Sequence, residues 1–249
     1  MREMEIDARG IYYRDLNRII RDAVAGGERR FVLRNVNGQR YIGDGIEGKI
    51  RMEVFGTPGQ DMAAFMKGPE IVVHGNAQDG VGNTMDDGKI AIRGMAGDIV
   101  GYGMRGGRIY IRGDAGYRVG IHMKAYRDKV PVIVIGGKAG DFLGEYMAGG
   151  VIILLGMFGE DTNGRPAAGD FLGTGMHGGA IYVRGKLDEH MLGRGLKPAE
   201  VTDEDIKVIR PYLKEFCQTF GLDMNEVLAG RFSKVAPATH RPYGNMYAY

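Results

Sequence analysis

Apolar residues alternate with variable residues in short segments that recur along the chain, and each segment ends at a glycine. The glycines that end these segments are separated by 19, 19, 19, 24, 19 and 29 residues, at Gly56, Gly75, Gly94, Gly113, Gly137, Gly156 and Gly185. The two long intervals are a 19-residue repeat with insertions of 5 and 10 residues, between Met123 and Val132 and between Gly156 and Gly169. A fixed period of this length indicates a repeat architecture.

Two columns of the repeat are always apolar, and they predict a β-strand. Four residues before each glycine stand Met52, Ile71, Ile90, Ile109, Ile133, Ile152 and Ile181. Two residues before it stand Val54, Val73, Ile92, Ile111, Ile135, Leu154 and Val183. Because the position between these columns varies, we expect the constant columns to face inward. One strand per repeat cannot bury its own apolar face, so successive coils must stack on one another.

A second apolar column and a methionine ladder occupy the other half of each repeat. The apolar column comprises Met62, Val81, Val100, Val119, Leu143 and Leu172, and a small residue follows each of them. The ladder comprises Met66, Met85, Met104, Met123, Met147 and Met176. Methionine fills irregular interior gaps, so we interpret the ladder as packing and not as a metal site. The glycines should occupy corners, where a positive φ is readily available to glycine.

The repeat predicts an all-β fold, a single-stranded parallel β-helix of about seven coils over residues 41–190. We expect a right-handed helix because parallel crossover connections are right-handed in nearly all folds. A left-handed hexapeptide helix would need a multiple of six residues per coil.

The flanking segments predict helices. Residues 1–40 should form an N-terminal helix, over 11–25, and a strand that cap the first coil. Residues 191–249 should form a C-terminal helical tail and an irregular arm from Phe232. Thr202 and Asp205 resemble a capping box for a helix to Phe220, which Pro211 should kink or split. We favour packing of this tail on the last coil over docking on a partner, because its apolar stripe needs an intrachain contact.

Composition limits the function. Glycine accounts for 43 of 249 residues, far above the usual ~7%. The net charge of +2 gives no argument for nucleic acid or an anionic membrane. Cys217 is the single cysteine, which excludes an intrachain disulfide, a CxxC site and an all-cysteine iron–sulfur cluster. With no apolar run of ~18 residues and no signal-like N-terminus, we expect a cytoplasmic protein.

Candidate chemical motifs are weak. The histidines His74, His122 and His177 fall in different columns, which argues against a zinc site. Asp98, Asp141 and Asp170 follow corner glycines, as in calcium-binding β-rolls, but half of the ligands are missing, so we expect them to bond their own turn backbone.

Two further patterns have a structural explanation. Gly101, Gly103 and Gly106 match GxGxxG, but a strand follows where a dinucleotide site requires a helix. Arg93, Arg112 and Arg184 share an outward column with His74, and this column is a candidate basic ridge for an acidic partner. We predict no catalytic, cofactor-binding or metal-binding residue in this chain.

The coil motif resembles the GXGXG domain of the glutamate synthase large subunit. The residues that carry the resemblance are Gly56–Phe65 (GTPGQDMAAF), Gly75–Gly82 (GNAQDGVG) and the Gly-x-Ala-Gly units at Gly94, Gly113 and Gly137. It covers roughly residues 41–186, and the tail from Thr202 to Pro237 is also similar. Pro58 stands where the usual pattern has alanine.

The resemblance implies a right-handed β-helix that braces a glutaminase part and an FMN/iron–sulfur synthase part, which some prokaryotes encode as separate chains. The nucleophilic cysteine, FMN region and cluster cysteines of that family are absent here, so no catalytic residue is carried over. The resemblance implies these two catalytic subunits as partners, and no cofactor in this chain.

Two alternatives stay open. One is the non-catalytic part of formylmethanofuran dehydrogenase that shares the glycine coils, and the other is an autonomous β-helix enzyme. Neighbouring genes would distinguish the glutamate synthase role from the formylmethanofuran dehydrogenase role.

Overall fold

The repeated strands form one parallel sheet that winds into a β-solenoid. The computed structural model describes residues 3–158 and 167–237. Nine strands run parallel in chain order: β1 (Met4–Asp7), β2 (Arg30–Asn37), β3 (Arg51–Thr57), β4 (Lys67–His74), β5 (Asp87–Ile92), β6 (Arg108–Ile111), β7 (Val132–Ile135), β8 (Ala148–Leu154) and β9 (Gly178–Arg184). Since β3 to β9 enclose the intervals between successive strands, the solenoid has about six turns.

The register of the sheet follows the columns of the sequence. Ile90 pairs with Ile109, and across the first insertion Ile109 pairs with Ile133. Across the second insertion Ile152 pairs with Ile181. Residues 159–166 of that insertion lie outside the described residues. The insertions therefore leave the strand register unchanged, as predicted from the spacing.

The interior of the solenoid contains the constant apolar columns and the methionine ladder. All strand residues of the two inward columns and all six ladder methionines are buried in one cluster. Met104, in the middle of the ladder, has no solvent exposure. The prediction that the ladder is interior packing is confirmed.

Each corner uses three left-handed residues, and glycine is required chiefly at the middle one. In one corner Ile99, Gly101 and Gly103 have φ of 51°, 68° and 57°. A Cβ on Gly101 would lie 2.5 Å from Cδ1 of Ile133, in the interior. The two outer positions direct their side chains to solvent and accept larger residues. Glycine alone was expected to adopt positive φ at these corners, and that expectation is wrong at Ile99, Arg118, His122, Phe142 and Tyr146.

The corner aspartates bind the next coil and not their own turn. Oδ1 of Asp98 accepts the Tyr117 backbone N–H at 2.8 Å, and Oδ1 of Asp141 accepts that of Asp170 at 2.9 Å. The expected local hydrogen bond is therefore wrong: parallel stacking places the next coil's N–H groups closer to the carboxylates than the turn's own.

The N-terminal end is closed by a helix. Helix α1 (Tyr13–Ala25) buries Leu16 and Ile20 in the same cluster as the solenoid interior. Asn17 Nδ2 donates to the Arg40 carbonyl at 2.8 Å, which ties the helix to the chain entering the first coil. The domain boundaries at residues 40 and 190 stay predictions, and β1 and β2 join the same sheet as β3.

The C-terminal end is closed by a reversal of strand direction. Strand β11 (Phe232–Val235) pairs antiparallel with β9, and β10 (Ala199–Glu200) pairs antiparallel with β11. A short 3-10 helix, Glu189–Met191, precedes them. Interior residues at this end are Leu187, Met191, Leu192, Leu196 and Val235. The segment from Phe232 to Val235 is thus a strand where an irregular arm was expected; residues 238–249 lie outside the described residues.

The C-terminal helices cover the side of the solenoid. Helix α2 (Asp203–Phe220) begins at a capping box of Thr202 and Asp205 and is one element through Pro211. Helix α3 (Met224–Leu228) begins at Asp223. A second buried cluster joins them to the outer face of β6–β9: Tyr110, Val134, Ile153, Tyr182, Ile209, Leu213 and Phe216. The expectation that these helices cap the last coil is therefore wrong, because the outer face there is itself apolar.

Candidate functional surface

The interior of the solenoid is filled by side chains, so candidate functional groups lie on its outside. In a representative coil Val100, Met104, Ile109 and Ile111 all have no solvent exposure. Protein interiors packed in this way hold few voids larger than a water molecule.

The predicted histidine positions do not converge. His74, at the end of β4, lies 2.5 Å (Nε2) from Oε2 of Glu53 and stacks on Phe55. His122 stacks on Tyr146 at a corner, and His177 lies just before β9. Across residues 3–158 and 167–237, no group of three or more His, Cys, Asp or Glu could hold a metal ion. His240 lies outside the described residues.

The GxGxxG match belongs to the corner geometry. Gly101 and Gly103 are left-handed corner residues, and Gly106 is packed beneath the Lys129 side chain. Strand β6 follows directly. A helix N-terminus, which would supply the N–H groups for a phosphate, does not follow this match.

The arginine column is not a continuous basic ridge. The Arg112 guanidinium lies over the Phe158 ring at 5.7 Å. Arg184 is covered by α3, and its Nε donates to the Val227 carbonyl at 3.3 Å. Arg93 lies in a separate groove beside α2. The sequence could not reveal this separation, because the helices that cover Arg184 are distant along the chain.

This groove beside α2 is the most charged feature of the outer face. It has a volume of about 550 Å³. Its floor is formed by β3–β5 and one wall by α2, and its residues are Arg51, Glu53, Glu70, Val72, His74, Lys89, Arg93, Glu215, Gln218 and Thr219. We call it the α2 groove.

The charges of the α2 groove neutralise one another. Glu215 of α2 accepts from Arg108 at 2.7 Å and from the Tyr110 hydroxyl at 2.9 Å. The Lys89 ammonium lies 2.6 Å from a Glu70 oxygen and 3.6 Å from Glu215. Burial and the nearby Glu215 raise the pKa of Tyr110, so the hydroxyl stays a donor.

The carboxylates of the groove are held ionised. Burial opposes the charge of Glu53, but hydrogen bonds from His74 and Arg51 outweigh burial and lower the pKa of Glu53. General acid catalysis at neutral pH needs a carboxyl with a raised pKa. The arrangement is therefore suited to fixing α2 on the sheet, with the charges used as structural pairs.

A second polar network fixes the start of α2. Asp205 accepts from the Tyr182 hydroxyl at 2.8 Å, Lys234 Nζ at 2.6 Å and the Thr202 backbone N–H at 3.1 Å. Burial acts against the charge, but these donors outweigh it and lower the pKa of Asp205 to about 2. The capping box was visible in the sequence, whereas the contribution of Lys234 depends on the pairing of β11.

Stacked coils with inward apolar columns and left-handed corners define this molecule as a parallel β-solenoid protein. The chain belongs to the GXGXG motif family, whose model matches residues 30–240. It is 49% identical over 253 aligned residues to an uncharacterized protein of Methanocaldococcus jannaschii, in an alignment that covers 99% of this chain and 97% of that protein. Within the described residues, no helix is both long and apolar enough to cross a bilayer.

Proposed function

We propose that this chain is a non-catalytic structural subunit of a glutamate synthase that braces separate glutaminase and FMN/iron–sulfur synthase subunits in the cytoplasm. The observation that carries the proposal is the GXGXG match over residues 30–240 in a chain without the catalytic cysteines of glutamate synthase. The resemblance of Gly56–Phe65 and of the helical tail favours this assembly over formylmethanofuran dehydrogenase.

Two features of the structure support a bracing role. The solenoid interior is filled by its own side chains, and the charges of the α2 groove are paired within the chain. A stack of parallel coils is a rigid rod, with neighbouring strands ~4.8 Å apart. The proposal includes the right hand of the helix and a count of about seven coils, when the poorly conforming first coil is included.

Reconstitution tests this proposal. The purified glutaminase and synthase subunits should form a stable complex only with this chain present, and glutamine-dependent glutamate synthesis should rise with complex formation. The isolated chain should show neither ammonia release from glutamine nor a flavin or iron–sulfur absorption spectrum.

Other results would contradict the proposal. Failure to bind either subunit would exclude the bracing role, and co-purification with molybdopterin-containing subunits would assign the chain to the formylmethanofuran dehydrogenase class. Ammonia release or a bound flavin would show that the isolated chain is catalytic.

A further inference from the structure

Exposed aromatic side chains line one corner of the later coils. Tyr102, Tyr117, Tyr146 and Phe171 are 40%, 52%, 45% and 52% exposed. His122 and Phe142 lie between them in the same corner. We call these six residues the aromatic ridge.

The rings of the aromatic ridge are arranged before any partner binds. His122 stacks on Tyr146 with ring centroids 5.3 Å apart and an interplanar angle of 10°. Phe142 stacks on Phe171 at 4.9 Å and 14°, and Tyr102 meets His122 edge-on at 5.8 Å. Prearranged side chains lose less conformational entropy on association.

The ion pair beneath the aromatic ridge is neutral. The Arg118 guanidinium lies over the Phe142 ring at 4.4 Å, and its Nε donates to Glu145 at 3.0 Å. Glu145 is itself buried beneath the ridge. These two charges therefore compensate each other. Aromatic residues and arginine are enriched at the centres of protein interfaces.

The fold does not require aromatic residues at these positions. Earlier coils have Gly80 and Thr84 at the two outer corner positions, with the same left-handed backbone. Asp79 and Asn83 occupy the positions of Tyr117 and Tyr102. The same corner is therefore stable with small or polar residues, and the contiguous aromatic surface of the later coils has no folding reason. Such patches mark interaction sites.

We propose that the aromatic ridge docks into a concave, uncharged apolar surface of a partner protein. Its left-handed residues direct their side chains away from the interior, so the corner projects. A projecting ridge cannot bury much area against a second copy of itself, which favours a different protein with a matching depression. The inference rests on the proposed function, which makes the glutaminase and synthase subunits the candidate partners.

Binding measurements with ridge variants test the inference. The double variant Tyr146→Asn/Phe171→Asn removes two rings from positions with φ of 51° and 61°, a backbone that asparagine tolerates. The control is Phe65→Asn, which is in the column of Tyr146, has φ of 57° and is 59% exposed, but lies among the early coils. Both variants should keep the wild-type melting temperature.

The affinity of each protein for the purified glutaminase and synthase subunits would be measured by calorimetry. We expect the double variant to bind one of them roughly 100-fold more weakly, as for loss of two interface hot spots, and the control to bind normally. Normal binding by the double variant overturns this inference alone. A wild-type chain that binds neither subunit overturns the proposed function and this inference with it. Self-association that the double variant abolishes assigns the ridge to a second copy and also overturns the inference.

Discussion

Successive coils are locked together by pairs of one Asp or Asn and one Gly. Asp98 accepts a backbone hydrogen bond from the next coil, and its carboxylate lies against the Cα of Gly116, where a Cβ would overlap Oδ1. The same arrangement recurs in the pairs Asn76–Gly94, Asp79–Gly97, Asp114–Gly137 and Asp141–Gly169. A glycine in one coil is thus required by the side chain of the coil before it.

Substitution of Gly116 tests this lock. A Cβ there would lie 2.8 Å from the Gly97 carbonyl carbon as well as overlapping Asp98. Gly116→Ala should therefore cost about 2–3 kcal/mol, as overpacked sites do, and lower the melting temperature by several degrees. Calorimetry would measure both quantities.

Gly195→Ala is the matched control, since Gly195 has φ of 84° and open space around its Cα. It should lose only ~1 kcal/mol from backbone strain. Adding Asp98→Ala to Gly116→Ala should recover part of the lost stability. A Gly116→Ala protein as stable as the wild type would show that the coils are not locked in this way.

The glycine columns were predictable at this scale, whereas their reasons were not. The spacing shows that Gly101 and Gly116 recur, but one faces a core isoleucine and the other a neighbouring carboxylate. These contacts join residues of different coils, so local turn chemistry did not reveal them. For the same reason the left-handed Ile99 carries no signal of its own in the sequence.

Helix α2 is fixed by apolar packing along its length and by Asp205 at its start. Its buried residues cover the outer columns of β6–β9, and Asp205 joins β9 to β11 through Tyr182 and Lys234. Because the ionised carboxylate is the form that accepts these bonds, the attachment of α2 depends on pH.

Acid titration should reveal the contribution of Asp205. Its folded pKa of about 2 is below the ordinary value of 3.8, so its stabilisation is fully present above the ordinary pKa and is lost as the pH falls toward the folded one. We expect this contribution to be roughly 1–2 kcal/mol after allowance for solvent screening. Denaturant unfolding of the wild type and of Asp205→Asn between about pH 2 and 5 would measure it.

The Asp205→Asn protein should be less stable near the top of this pH range, and the difference from the wild type should shrink as the pH approaches the folded pKa of about 2. Glu204→Gln is a control at an exposed neighbour in the same first turn. A difference that is constant over this pH range would contradict the role of the ionised Asp205.

At the scale of elements, the sequence predicted the strands better than the placement of the helices. The alternation of Ile109 and Ile111 determines which strand face is inward, and stacking then determines the neighbours of each strand. The apolar stripe of α2 shows only that a surface must cover it. The outer column from Tyr110 onward is that surface, and its apolar residues were interpreted as simple variation.

The whole molecule is a finite stack because its two ends differ from its coils. Helix α1 covers the interior at one end, and the antiparallel strands β11 and β10 follow the last parallel strand at the other. Uncovered strand edges pair readily with other chains, and repeat arrays need terminal caps for solubility.

Removal of residues 197–249 should make the protein aggregate. The deletion exposes the edge of β9 and uncovers the buried outer residues Tyr110, Val134 and Ile153. Light scattering coupled to size-exclusion chromatography would detect the aggregates, and calorimetry would report stability. A monodisperse shortened chain with an unchanged melting temperature would contradict both roles assigned to the tail.

The Asp–Gly lock also determines how such an array can lengthen during evolution. The coil that starts at Gly113 supplies Asp114 to the following coil and offers Gly116 to the preceding one. A tandem duplication of one such coil creates a new junction whose two halves already match. Loss of a single partner by point mutation, in contrast, leaves a mismatch at one junction. Growth by copying whole coils is therefore structurally neutral, while divergence within the lock requires paired changes.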